Sequence, residues 1–74
     1  MSSIAYVRER RNMPFIKRGM KVGVNGKMGK VTSGNASGNL NVLFDGTNHP
    51  VNCHPTWRTR YFDDEGNVIA DYRD

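Results

Sequence analysis

From Met20 onward the chain alternates apolar and polar residues in short runs, and turn signals rich in glycine interrupt it every eight to ten residues. That rhythm belongs to short antiparallel strands, because connections this brief leave no room for the crossover helices that parallel pairing needs. The predicted strands cover residues 21–24, 29–33, 39–44, 47–53, 58–62 and 68–72. In the first, Val22 and Val24 alternate with Lys21 and Gly23, and the run closes on Asn25-Gly26, a favoured tight-turn pair. In the third, Leu40, Val42 and Phe44 are expected to face inward, and Asp45-Gly46 ends it with a second turn. Pro50 lacks a ladder donor, so the fourth run is an edge strand or carries a bulge. The polar stretch 33–38 is predicted as a mobile surface loop. His54-Pro55-Thr56-Trp57 reads as a short helical turn, and Asp63-Asp64-Glu65-Gly66-Asn67 as the turn into a closing hairpin. Five or six strands this short close most economically as a partly open barrel. The expected fold is mainly β: a small five-stranded antiparallel barrel with a short N-terminal helix.

That helix is predicted over residues 4–11, capped by Ser2 or Ser3, with Ile4, Val7 and Arg11 on one face and Pro14 as its terminator. The organisation implied is a basic helix and linker over 1–18 and a small β-barrel domain over 19–74. With 74 residues, 36% of them apolar, the chain can fill one thin core but cannot enclose a deep substrate cavity, so an enzyme is not expected. Its longest apolar run, Ile4-Ala5-Tyr6-Val7, is far too short for a membrane span or a signal region, which points to a soluble, cytoplasmic protein with no membrane partner. Cys53 is the only cysteine and has no internal disulfide partner.

Charge divides the chain unevenly. Residues 1–30 carry eight Lys or Arg against one Glu, whereas 31–74 carry three against six Asp or Glu. A basic block concentrates polyanions around it, and nucleic acid is the first candidate partner. The competing reading is that these cations only solvate a helix and linker, or pair with the acidic second half.

Other constellations are weaker. His49, Cys53 and His54 lie close in sequence, but a tetrahedral zinc site needs a fourth ligand and none is apparent, so no metal or cofactor is expected. Cys53 and His54, adjacent in an extended run, point apart and do not form a nucleophile and base. Asp63, Asp64 and Glu65 sit at a hairpin tip without the alternating spacing of a calcium loop. Gly23, Gly26 and Gly29 precede no helix whose amino end holds a phosphate. Asn35-Ala36-Ser37 matches a glycosylation acceptor in a chain without secretion features. Within an extended 57–61 run, Arg58 and Arg60 share one face, and Trp57, Thr59 and Tyr61 the other. As the largest apolar side chain, Trp57 is expected in the core; if exposed, Trp57 or Tyr61 would offer bases a stacking surface.

Arg18-Gly19-Met20-Lys21-Val22 followed by Gly26-Lys27-Met28-Gly29-Lys30-Val31 resembles the KOW motif of ribosomal proteins and transcription elongation factors, with Gly29 as its characteristic glycine. The resemblance implies a Src-homology-3-like barrel and binding to RNA or RNA polymerase. Over the whole length, Tyr6-Val7, Pro14, Lys17-Arg18-Gly19-Met20, Gly26-x-x-Gly29-x-Val31, Asp45-Gly46 and His54-Pro55-Thr56-Trp57-x-x-x-Tyr61 are similar to a set of small phage and prophage proteins of unassigned role. That likeness implies a viral protein working in the host cytoplasm.

The function expected is a non-catalytic, nucleic-acid-associated small barrel that contacts DNA or RNA phosphates largely without sequence preference. Its candidate contact residues are Arg8, Arg10, Arg11, Lys17, Arg18, Lys27, Lys30, Trp57, Arg58 and Arg60. The alternative is a protein-interaction module that inhibits a host enzyme or defence complex through a barrel edge or through Asp63, Asp64, Glu65 and Asp71. An unpaired edge strand also offers a route to a homodimer.

Overall fold

The computed structural model describes residues 3–73, and within them one short helix stands against one antiparallel sheet. The helix, α1, spans Ser3–Arg11. Its expected cap falls either on Ser2, outside the described residues, or on Ser3, whose side chain also lies outside them. Pro14 is not what ends it. The chain turns at Asn12, whose φ of 55° is left-handed. The Met13 N–H then reaches back to the Arg8 carbonyl at 2.9 Å, and the Asn12 N–H to that of Glu9 at 3.4 Å. This reciprocal pair satisfies the last carbonyls and drives Met13 into the core beside Val7, which makes Asn12 the stop signal.

Six strands follow, one more than the five expected: β1 (Lys21–Val24), β2 (Lys27–Gly34), β3 (Leu40–Phe44), β4 (Val51–Cys53), β5 (Thr59–Phe62) and β6 (Val68–Asp71). They form one open sheet in the order β4-β3-β2-β1-β5-β6, every neighbouring pair antiparallel. The closing run, expected as a hairpin with the fifth, joins the sheet as β6 and pairs Arg60 with Asp71 and Tyr61 with Ala70. Asn25 and Gly26, with φ of 51° and 85°, make the expected two-residue turn between β1 and β2. Bulges between Val31 and Ser33 and between Tyr61 and Phe62 bend the sheet. The fourth strand is shorter than the predicted 47–53 because pairing starts only after Pro50, and β4 is an edge as the proline implied.

One face of the sheet meets the helix. Val22, Val31, Leu40, Val42 and Tyr61 pack with Ile4, Val7, Met13, Ile16 and Met20, so half of this cluster precedes β1. Burial of these side chains stabilises the fold by about 1.5–3 kcal/mol each before entropy is counted. The expected loop 33–38 is shorter, since Ser33 and Gly34 belong to β2, and Asn35 is its hydrogen-bonding centre. Asn35 Oδ1 accepts the N–H groups of Ser37 (3.1 Å) and Asn39 (3.3 Å), and its amide donates to Asn52 Oδ1 (2.6 Å) on β4. Among the described residues, no helix is long and apolar enough to cross a membrane.

Candidate nucleic-acid interface

The two-residue turn Asn25-Gly26 and the connection 54–58 lie side by side, because the Asn25 N–H donates to the Arg58 carbonyl at 2.9 Å. Two clefts flank this junction, and Asn25 lines both. The first, about 310 Å³, is walled by Val24, Phe44, Val51, Cys53 and Trp57, with Lys27, Asn52 and His54 as its polar members. The second, about 280 Å³, is bordered by Gly23 and Gly26 and by three arginines, Arg58, Arg60 and Arg73.

Trp57 is 53% exposed, so its expected place in the core is wrong. The extended 57–61 run breaks at Arg58, whose φ of 48° is left-handed, and β5 starts only at Thr59. Thr59 and Tyr61 keep the alternation and are buried at 2% and 0%, while Trp57 falls outside it. Tyr61 therefore offers no stacking face; its hydroxyl donates to the Pro55 carbonyl inside the core. The Arg58 guanidinium lies 5.5 Å from the centre of the Trp57 ring and 3.5 Å from Asn25 Oδ1. Arg60 stands 5.3 Å over Phe62. An arginine in left-handed backbone costs about 1–3 kcal/mol that a glycine would not incur, and such strain concentrates at functional positions.

The remaining candidates separate into fixed and available cations. Arg8 Nε donates to the Ile16 carbonyl. Arg11 Nε donates to the Gly38 carbonyl at 2.9 Å, and its Nη2 to Asn39 Oδ1 at 3.2 Å, so both arginines hold the helix to the rest of the fold. Arg10 lies along Gly38, its Cδ 2.7 Å from where a Cβ on that glycine would stand. Lys17 and Arg18 are exposed on the linker, but Lys17 shares a third cleft, about 440 Å³, with Arg8, Asp63 and Asp64, where opposite charges offset one another. Lys30 points outward from β2, directly across the ladder from Lys21, a like-charge pairing that an anion would relieve. Lys27 and Trp57 meet in the first cleft, and Arg58 and Arg60 in the second.

Lys21, Phe44, Val51, His54 and Arg73 join these surfaces without a local sequence signal, since each arrives by strand pairing or by the course of the 54–58 connection. Among the described residues the one ion pair is Arg73–Asp71, at 2.8 Å. Among the described residues, then, no ion pair joins the basic first half to the acidic second half. The Arg73 guanidinium holds the Asp71 carboxyl below its usual range, and the N–H groups of Asn67, Glu65 and Gly66 do the same for Asp63, a self-contained turn.

Cys53 and His54 are not arranged as a nucleophile and its base. Burial raises the Cys53 thiol, the reverse of activation, and His54 Nδ1 is occupied by the Thr56 N–H at 3.2 Å. No group of three or more His, Cys, Asp or Glu among the described residues is placed to hold a metal ion. A scan against protein-family models gives no match, and neither curated proteins nor solved structures yield one.

Proposed function

We propose that this protein is a small, non-catalytic, nucleic-acid-associated β-domain that contacts the phosphate backbone largely without regard to sequence. The observation that carries this reading is the basic surface: among the described residues Lys21, Lys27, Lys30, Arg58 and Arg60 make no ion pair, although Asp71 faces Arg60 across the ladder, and Arg58 and Arg60 border one arginine cleft. The contact set is centred on the β1–β2 hairpin and the start of β5, with Arg10, Lys17 and Arg18 contributing at longer range. Arg8 and Arg11 serve the fold.

The bent six-stranded sheet supports a Src-homology-3-like, KOW-like barrel. The motif's glycine, Gly29, lies where an added Cβ would stand 2.6 Å from the Leu43 carbonyl oxygen. The hydroxyl of Tyr61 on the Pro55 carbonyl links the ends of the His54-Pro55-Thr56-Trp57-x-x-x-Tyr61 motif and supports its reading as one unit, as in the phage-type proteins it resembles. That origin carries with it a host-cytoplasmic location.

The test is fluorescence anisotropy of labelled DNA and RNA, titrated from low to above physiological salt. Binding should weaken steeply with salt, and neutralising Lys27, Arg58 or Arg60 should each reduce the slope of log K against log salt by about 0.7–0.9. An unchanged slope refutes the reading.

A second reading has its own observation. Val68 and Ile69 are 47% and 46% exposed on the edge strand β6, and Val51 is 47% exposed on the edge strand β4. An apolar sheet edge suits strand addition by a host protein or a second copy of this chain. Under this reading Ile69→Lys abolishes a host complex or a dimer while nucleic-acid affinity stays negligible; a chain that remains monomeric and captures no host protein counts against it.

A further inference from the structure

The aromatic cleft and the arginine cleft share a wall, and the side chains on that wall point to a more specific ligand than a polyanion. Trp57 lines the first cleft, whereas Arg58, stacked on the Trp57 ring, lines the second. The indole thus has a guanidinium 5.5 Å from its ring centre and also lines the cleft that Phe44, Val51 and Lys27 line. Arg58 holds this arrangement on a left-handed backbone that residues other than glycine rarely adopt. The half-open indole is continuous with Val51 and Phe44 in one cleft, an apolar patch rather than a single exposed side chain.

We propose that the cleft of Trp57, Phe44 and Val51 takes one unstacked nucleobase of a single-stranded nucleic acid, with the adjoining phosphate in the cleft of Arg58 and Arg60. This rests on the nucleic-acid reading above. At about 310 Å³ the cleft sits at the lower end of small-ligand pockets, which suits a single heterocycle. Its walls are aromatic and aliphatic, and every base has a π-face to set against an indole. Lys27 and Asn52 stand at the same cleft to meet a neighbouring phosphate or the polar edge of the base. A base within a duplex is already stacked on its neighbours, so the cleft discriminates by strand state. Arg73 is engaged with Asp71 and plays the smaller part in the second cleft.

The chain's single tryptophan makes the experiment direct, because all intrinsic tryptophan emission comes from this cleft. The full chain is titrated at low salt with a short oligothymidine, a strand of equal length carrying abasic sites throughout, and a duplex. The oligothymidine should quench Trp57 and bind roughly 5- to 150-fold more tightly than the abasic strand, the range that base–aromatic stacking spans. By anisotropy of the labelled strand, Trp57→Ala should erase that preference and Trp57→Phe keep most of it. Equal, salt-sensitive binding of the normal and abasic strands overturns the base cleft and leaves the phosphate reading standing. Tighter binding of the duplex overturns the single-strand preference. No binding to any probe overturns both readings together.

Discussion

Gly29 and Gly23 occupy neighbouring rungs of the β1–β2 ladder, where Val22 pairs with Gly29 and Gly23 with Met28, yet alanine should affect them in opposite directions. Neither has a left-handed backbone, so the difference is purely steric. At Gly29 the new Cβ would stand 2.6 Å from the Leu43 carbonyl oxygen, 2.9 Å from Phe44 Cα and 3.0 Å from Val42 Cγ1. Two of the three are backbone atoms, and the third belongs to a core side chain. Relief requires β2 and β3 to separate along their ladder. Overpacking of this kind costs about 1–3 kcal/mol, and backbone obstruction puts Gly29→Ala at the upper end, about 2–3 kcal/mol. At Gly23 the nearest atom is Met28 Sδ at 3.1 Å, in a flexible side chain that can swing aside. Gly23→Ala should therefore be neutral or gain up to about 1 kcal/mol from the lost freedom of the unfolded chain. A chain of this length has about 4–11 kcal/mol in all, so Gly29→Ala removes a large share and lowers the melting temperature by about 8–24 °C. Urea denaturation followed by circular dichroism measures both variants. If Gly29→Ala unfolds together with Gly23→Ala, the close approach of β3 to Gly29 is not what selects glycine there.

Arg58→Gly relieves left-handed strain worth about 1–3 kcal/mol and loses an exposed cation–π contact worth about 0.5–1 kcal/mol, so the chain should be as stable as before or slightly more so while its nucleic-acid affinity falls. A clear loss of stability in thermal melts would show that Arg58 is kept for folding. Arg11→Met breaks bonds to Gly38 and Asn39 and should cost about 1–3 kcal/mol in urea, whereas Arg18→Met, fully on the surface, should stay within about 0.5 kcal/mol. Burial raises the Tyr61 phenol well above its ordinary 10.0, so the folded chain favours the neutral form. That contribution is complete below pH 10.0 and is lost as pH rises beyond it, where only the unfolded chain ionises freely. Stability measured between about pH 8 and 11 should fall more steeply in the wild-type chain than in Tyr61→Phe; parallel profiles would exclude Tyr61 as the cause.

The parts of the fold that were legible are those decided within a few residues. Asn25-Gly26 and Asp45-Gly46 announce tight turns because left-handed backbone is cheap there, and Val22, Val24, Leu40 and Val42 alternate because one face of each strand is buried. The end of the helix was legible only in part. Pro14 is the louder breaker, but Asn12 stops the chain first by reaching a left-handed turn and burying Met13. Distance in sequence hid the rest. The bonds of Arg11 cross 27 and 28 residues, so nothing near Arg11 distinguishes it from the exposed Arg10. Size alone does not place Trp57: the left-handed Arg58 breaks the extended run before β5 and leaves the largest apolar side chain outside the alternation that buries Thr59 and Tyr61. The two clefts of the candidate site depend on the same break, together with the pairing that brings Phe44, Val51 and Arg73 to the surface, and no local pattern marks them.

The helix shares its core with the sheet through Ile4 and Val7 and is tied down by Arg8 and Arg11, and this shapes how the chain meets any polyanion. A basic arm that folds only on contact surrenders its freedom at that moment and buries apolar surface as it does so. Here the ordering is completed during folding. Association should resemble the docking of two rigid bodies: a small heat-capacity change, little gain in helix content, and an encounter rate governed by the field of a fixed array of charges.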